Sequence, residues 1–226
     1  MSSQLWPLQV FDPSADFAVA ERRLPHWSQA GTICFITWRT LDSIPRAVAE
    51  RWVRDRAIWL HRHGIEVEDL DWRNKVLEMA PPLRSEFLQT FSSRWHDQLD
   101  KCQGECVLRE PTLSKIVADS LLKFDGAKYE MIDFVIMPNH VHLIAAFFDE
   151  SEMLRQCLSW KHFTASQVHK ALGRKDKFWQ QDGFDHLIRS ESQFVALRKY
   201  IADNGAKANL QSHEYRHYSK DLSLPK

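Results

Sequence analysis

Lys128–Phe148 reads KYEMIDFVIMPNHVHLIAAFF, and this stretch decides the fold. Two runs rich in β-branched and aromatic residues, Lys128–Ile136 and Val141–Phe148, are joined by Met137-Pro138-Asn139. That pattern predicts two strands in an antiparallel hairpin. Positions two apart on a strand share a face, so His140 and His142 project together while Val141 points the other way, into a core. Two imidazoles so placed can share one ion. The spacing alone does not require it, since His61 and His63 have the same spacing near a helix end, where such residues do not face each other.

Working outward, Thr32–Arg39 (TICFITWR) reads as another strand. Asp42-Ser43-Ile44-Pro45 starts a helix that Gly64 ends. Residues 65–82 are acidic and read as an irregular connection. Arg84–Lys101 and Pro111–Phe124 have helical spacing. Ser151–Leu172 is a long helix closed by Gly173, Phe184–Ile188 a short strand, and Glu191–Asn204 a last helix with Gly205 at its end. Residues 1–30 read as a surface arm and those from Gln211 as a peripheral tail. Strands and helices mix without strict alternation, which predicts an α+β fold: an antiparallel sheet flanked by helices, with a helical insertion at about residues 65–105. The whole chain reads as a single domain.

Composition agrees. The 226 residues are 44% hydrophobic and 27% charged, with few Gly and Pro, so a packed core is expected rather than disorder. No apolar run approaches the roughly 20 residues of a membrane span. The four cysteines form no C-x-x-C pair and fit free thiols in a reducing cytoplasm. Net charge is zero but uneven. Residues 1–150 carry 17 basic against 22 acidic side chains, and residues 151–226 carry 13 against 8. A basic C-terminal third suits a phosphate-binding face. Lys161, His162, Arg174, Lys175, Lys177, Trp179, His186 and Arg189 supply the cations and rings that a single-strand groove uses.

The stretch Phe134–Ile144 closely resembles the HUH signature of single-strand tyrosine transposases, and in particular the REP-associated (RAYT-like) branch. Leu24-Pro25-His26-Trp27, Ser159–Ala165, Phe178-Trp179-Gln180-Gln181, Phe184–Arg189 and Lys199–Asn204 resemble further segments of that family in family order, so the likeness spans residues 22–210. The resemblance implies a ferredoxin/RRM-like palm and a bacterial, cytoplasmic protein working on the nucleoid. It implies a nucleophilic tyrosine at Tyr200 and a third metal ligand four residues on, at Asn204. Positions i and i+4 share a helical face. Two histidines and an amide oxygen with open positions suit Mg²⁺ or Mn²⁺. The implied activity is metal-dependent cleavage and rejoining of single-stranded DNA through a 5′-phosphotyrosine. The implied substrate is hairpin-forming, REP-like repeat DNA, the partner in transposition. A domesticated hairpin-binding protein that no longer cuts is the competing reading, and the intact Tyr200, His140 and His142 favour the enzyme. A metal hydrolase using H-x-H with Asp133 or Asp185 would leave Tyr200 and Asn204 unexplained. Some relatives place the histidines and tyrosine on different subunits, so monomer and homodimer both stay open.

Overall fold

The structure is a computed structural model that describes residues 8–222 apart from 17, 22–24, 70, 150 and 182. Leu24 of the family-like segment therefore lies outside the described residues. In chain order the elements are β1 (Ala18–Glu21), β2 (Pro25–Ser28), β3 (Ile33–Arg39), α1 (Arg46–Arg62), α2 (Trp72–Glu78) and α3 (Pro81–Leu99). A 3₁₀ turn, Val107–Arg109, precedes α4 (Pro111–Leu122). Then follow β4 (Tyr129–Ile136), β5 (His140–Phe147), α5 (Glu152–Leu172), β6 (Phe184–Leu187), α6 (Glu191–Lys207) and β7 (Arg216–Ser219).

The chain forms two compact units, residues 1–41 with 105–226, and residues 42–104. In the first, five strands make one sheet in the order β6-β3-β5-β4-β7, with every neighbouring pair antiparallel. With α4 leading from β3's side of the chain to β4, and α5 from β5 to β6, the path is a split βαββαβ arrangement. The sheet's two faces differ. Cys34, Ile36, Trp38, Val141, Leu143, Ala145 and Phe147 lie on one face and form the core with Leu113, Val117 and Leu121 of α4 and Met153, Trp160 and Val168 of α5. The polar tips in this core are spent on backbone carbonyls: Tyr129 Oη donates to Leu121 O at 2.7 Å, and Trp160 Nε1 to Ser120 O at 3.1 Å. The opposite face carries His140 and His142, and α6 packs over it against β4 and β5.

A shift of register between Met131 and Asp133 breaks the strict alternation of β4. Met131, Phe134 and Ile136 can all enter the core because of it, and Asp133 turns to the histidine face.

The second unit holds α1, α2 and α3 around Leu60, Ile65, Val76 and Phe87, with Trp59, Val67, Trp72, Met79 and Phe91 against them. It begins at Asp42, ahead of the acidic stretch at 65 where the insertion was expected. The reason is that Leu60 of α1 packs on Val76 and Phe87 of the following helices. Within 65–82 the expected irregular connection contains α2, and Pro81 and Pro82 open α3, where a missing N–H costs nothing.

Three further expectations change. The arm of residues 1–30 contains the β1–β2 ladder. The peripheral tail contains β7, which pairs with β4 from Asp133↔Ser219 to Ile136↔Arg216 and so forms an edge of the sheet. Gly205 does not end the last helix; α6 runs to Lys207. A Cβ at Gly205 would lie 2.3 Å from the Tyr215 ring, so the glycine is there to seat that ring rather than to stop the helix. Gly205→Ala gains about 1 kcal/mol of helix propensity but overpacks by about 1–3 kcal/mol. We expect a net loss, read as a lower melting temperature together with faster amide exchange over residues 211–220. A higher melting temperature would mean that Tyr215 does not need this seat.

Candidate metal and nucleophile centre

β5 carries His140 and His142, both fully buried, on the sheet face under α6. Strand pairing sets Thr37 of β3 opposite His142, and Thr37 Oγ1 lies 2.7 Å from His142 Nδ1. Nε2 is thus the nitrogen of His142 turned toward α6. His140 Nδ1 lies 2.7 Å from Asn139 Oδ1; the carboxamide oxygen can only accept, so Nδ1 donates and Nε2 bears the lone pair. Asn139 is itself held, since its carbonyl accepts from Thr40 N at 2.8 Å and Thr40 Oγ1 at 3.1 Å. This is how metal-ligating histidines are usually oriented, one nitrogen tied and the other presented. The two rings stand 4.6 Å apart, centre to centre, at 74°, and one ring nitrogen of each lies within 4.8 Å of the other.

Helix α6 starts with Ser190 as N-cap, its side chain accepting from Gln193 N. It brings Tyr200 over the pair. Tyr200 Oη is 3.1 Å from His142 Nε2, and the rings meet edge to face at 5.2 Å. Phe35 of β3 supports both: its ring stacks on His142 at 5.5 Å and meets Tyr200 at 6.2 Å. The Lys207 ammonium sits 4.9 Å from the centre of the Tyr200 ring, one face further along the same stripe. The tyrosine and the histidines therefore meet within one chain.

One helical turn beyond Tyr200, Asn204 is fully buried. Neither its Oδ1 nor its Nδ2 has a hydrogen-bond partner among the described residues. An orphaned buried amide costs about 1–3 kcal/mol. A hard cation would engage such an oxygen, and the two imidazoles with their presented nitrogens suit a divalent ion.

The carboxylates considered for a hydrolase lie elsewhere. Asp133 is engaged by Arg198, at 2.6 Å from Nε. Asp185 pairs in register with Ile36, on the core side of the sheet. Thiol chemistry is also disfavoured at Cys157, where burial, aided by the Asp185 carboxylate, pushes the thiol up to about 12.

The expected DNA contacts divide. Lys161 is buried and its Nζ donates to Gln181 O at 2.5 Å. Trp179 is buried, its Nε1 donating to Thr164 Oγ1 at 2.9 Å and its ring edge-on to Trp38. Both are interior residues rather than part of a stacking groove, because α5 and the stretch before β6 close over them. His186, on the histidine face, packs on Phe35 at 5.4 Å and meets Gln193 at 3.2 Å. Arg174 is exposed and pairs with Glu105. His162, Lys175, Lys177 and Arg189 are exposed. Thr37, Asn139, Phe35 and Lys207 were not singled out from sequence. Asn139 lies inside the quoted hairpin turn, but Thr37 and Phe35 acquire meaning only through the β3–β5 register.

No family model and no curated protein matches the chain. Among solved structures, that of a REP-associated tyrosine transposase bound to a REP hairpin matches at 13% identity and a TM-score of 0.41, over 92% of this chain and 97% of that one. The chain is similar to a REP-associated tyrosine transposase. Among the described residues no helix is long and apolar enough to cross a membrane.

Proposed function

We propose that the protein is a metal-dependent single-stranded DNA endonuclease and strand transferase acting on hairpin-forming repeat DNA, with Tyr200 as nucleophile and His140, His142 and Asn204 as ligands of Mg²⁺ or Mn²⁺. The observation that carries this reading is the Tyr200 hydroxyl at 3.1 Å from His142 Nε2, with an orphaned amide one turn along the same helix. A divalent ion bound there would draw charge from the phosphate oxygens and orient the scissile group. An ion held on His142 Nε2 would occupy the lone pair there, and the Tyr200 hydroxyl beside it would then be available to a phosphate.

Tyr200 Oη then attacks phosphorus and gives up its proton. The phosphorus–O3′ bond breaks and the departing 3′ oxygen is protonated, leaving the 5′ phosphate on Tyr200. The ester energy is retained, so a second 3′-OH can reverse the step and join strands without ATP. Phe35 and Thr37 fix the His142 ring, and Asn139 fixes that of His140, so the ligands are held before substrate arrives. The Lys207 ammonium beside the phenol can neutralise an incoming backbone phosphate.

The test is direct. Labelled single-stranded hairpins with Mn²⁺ should give a protein–DNA adduct that survives denaturation. Tyr200→Phe and chelation with EDTA should each abolish it, while Tyr200→Phe still binds the hairpin. An adduct that persists in Tyr200→Phe removes that residue from the chemistry. Binding without cleavage over a wide set of hairpins leaves the non-cutting hairpin binder.

A further inference from the structure

The helical unit of residues 42–104 has an unusually basic first helix. α1 (RAVAERWVRDRAIWLHR) contains five arginines and no lysine, against Glu50 and Asp55. Residues 63–104 are the reverse, with five basic against eight acidic side chains. The positive charge of the unit is thus gathered on one helix. Two of the arginines are occupied: Arg46 Nε pairs with Glu50 at 2.7 Å, and Arg56 lies 5.1 Å over the Trp72 ring. Arg51, Arg54 and Arg62 are exposed, and none of their guanidinium groups has an ion pair or hydrogen bond to a described residue.

These three share a face. At 100° per residue, positions 51, 54, 58 and 62 fall within about 80° of arc and extend over about 16 Å. Leu60, fully buried, lies on the opposite side, where α1 meets the core of its unit. The stripe is therefore the helix's outward face. Lysine would keep a helix soluble equally well. Guanidinium differs in binding phosphate with two parallel N–H donors and in shedding water more readily. The only large apolar group within the stripe is Ile58, too little to anchor a helix in lipid.

We propose that Arg51, Arg54 and Arg62 form a phosphate-backbone binding stripe, through which the inserted helical unit grips the DNA strand or stem that the catalytic unit processes. This rests on the reading of the chain as a DNA-processing protein, but not on Tyr200 being its nucleophile. The full-length Tyr200→Phe protein separates the two, because it binds without reacting. Its affinity for a labelled single-stranded hairpin is measured by fluorescence anisotropy between roughly 50 and 200 mM salt. Adding Arg51→Gln, Arg54→Gln and Arg62→Gln should weaken binding about 10-fold or more and flatten the salt slope by about 2–3, since each lost phosphate contact removes about 0.7–0.9. The melting curve should not move, because the three side chains are exposed. Lys115→Gln on α4, whose ammonium is already engaged by Asp119 at 2.6 Å, should leave affinity and slope unchanged.

An unchanged slope in the triple variant overturns the stripe, as does an equal loss in Lys115→Gln. Binding of the stripe to vesicles of anionic lipid but not to hairpins overturns the DNA assignment and points to a membrane surface. Stripe-dependent hairpin binding in a protein that forms no adduct leaves the stripe standing and removes the catalytic reading.

Discussion

Replacing Asn204 by Leu is expected to stabilise the protein while weakening its hold on a divalent ion. The side chain is fully buried and its two amide atoms lack partners among the described residues. Leucine has nearly the same shape and nothing to desolvate, so the variant should gain about 1–2 kcal/mol. For a chain of this length that is a rise of roughly 2–8 °C in melting temperature. The same change removes the oxygen donor from the proposed ligand set. Mn²⁺ titration calorimetry should then show an affinity lower by roughly 10-fold or more. Opposite signs in the two measurements are the mark of a residue kept for a ligand rather than for the fold. A less stable variant would mean that the amide serves the fold, and an unchanged Mn²⁺ affinity would take Asn204 out of the ligand set.

The second large effect is expected at the clamp that fastens α6 to the sheet. Asp133 is buried, and Arg198 reaches it with Nε to Oδ2 at 2.6 Å and Nη2 to Oδ1 at 3.3 Å. The same guanidinium donates to Ser219 Oγ at 2.9 Å and to Lys220 O at 3.0 Å, so one side chain ties β4, α6 and the end of β7 together. Removing either partner is not equivalent. Arg198 is partly exposed and water can recover it, whereas Asp133 has no access to solvent. Arg198→Met should therefore be the costlier change, about 3 kcal/mol, within the range for orphaning one member of a buried pair. Asp133→Leu should cost less, and the double variant should recover much of the Arg198→Met loss. Denaturant midpoints measured around this cycle decide it. Two additive single losses, with no coupling, would show that the pair is not a unit. Tyr200 is two residues from Arg198, so loosening the clamp should also slow adduct formation without weakening hairpin affinity.

Much of the sheet could be read from residues alone, because strand patterns are local. The hairpin 128–148 announced itself by its β-branched runs and short turn, and the same-face placement of His140 and His142 follows from the period of a strand. The spacing of Tyr200 and Asn204 needed only a helix. Three misreadings came from applying local rules where long-range packing ruled. Gly205 looks like a helix stop until Tyr215, ten residues on, is found against it. Arg216–Ser219 shows no buried alternation of its own and becomes a strand because β4 offers an unpaired edge. Lys161 and Trp179 suit a basic, aromatic groove by type, but the closure of α5 over the core takes both inside.

What the amino-acid order determined by itself was the chemistry available: two imidazoles on one strand face, and a phenol and an amide on one helix stripe. Only the tertiary structure decided that the phenol and the imidazoles meet. Fifty-eight residues separate His142 from Tyr200, and no local preference spans that distance. Pairing of β3 with β5 set Thr37 and Phe35 against His142, the register shift in β4 turned Asp133 toward α6, and Arg198 took hold of it. Those contacts carry the phenol to within a hydrogen bond of the imidazole, which is a property of the packed sheet and helix and not of either segment.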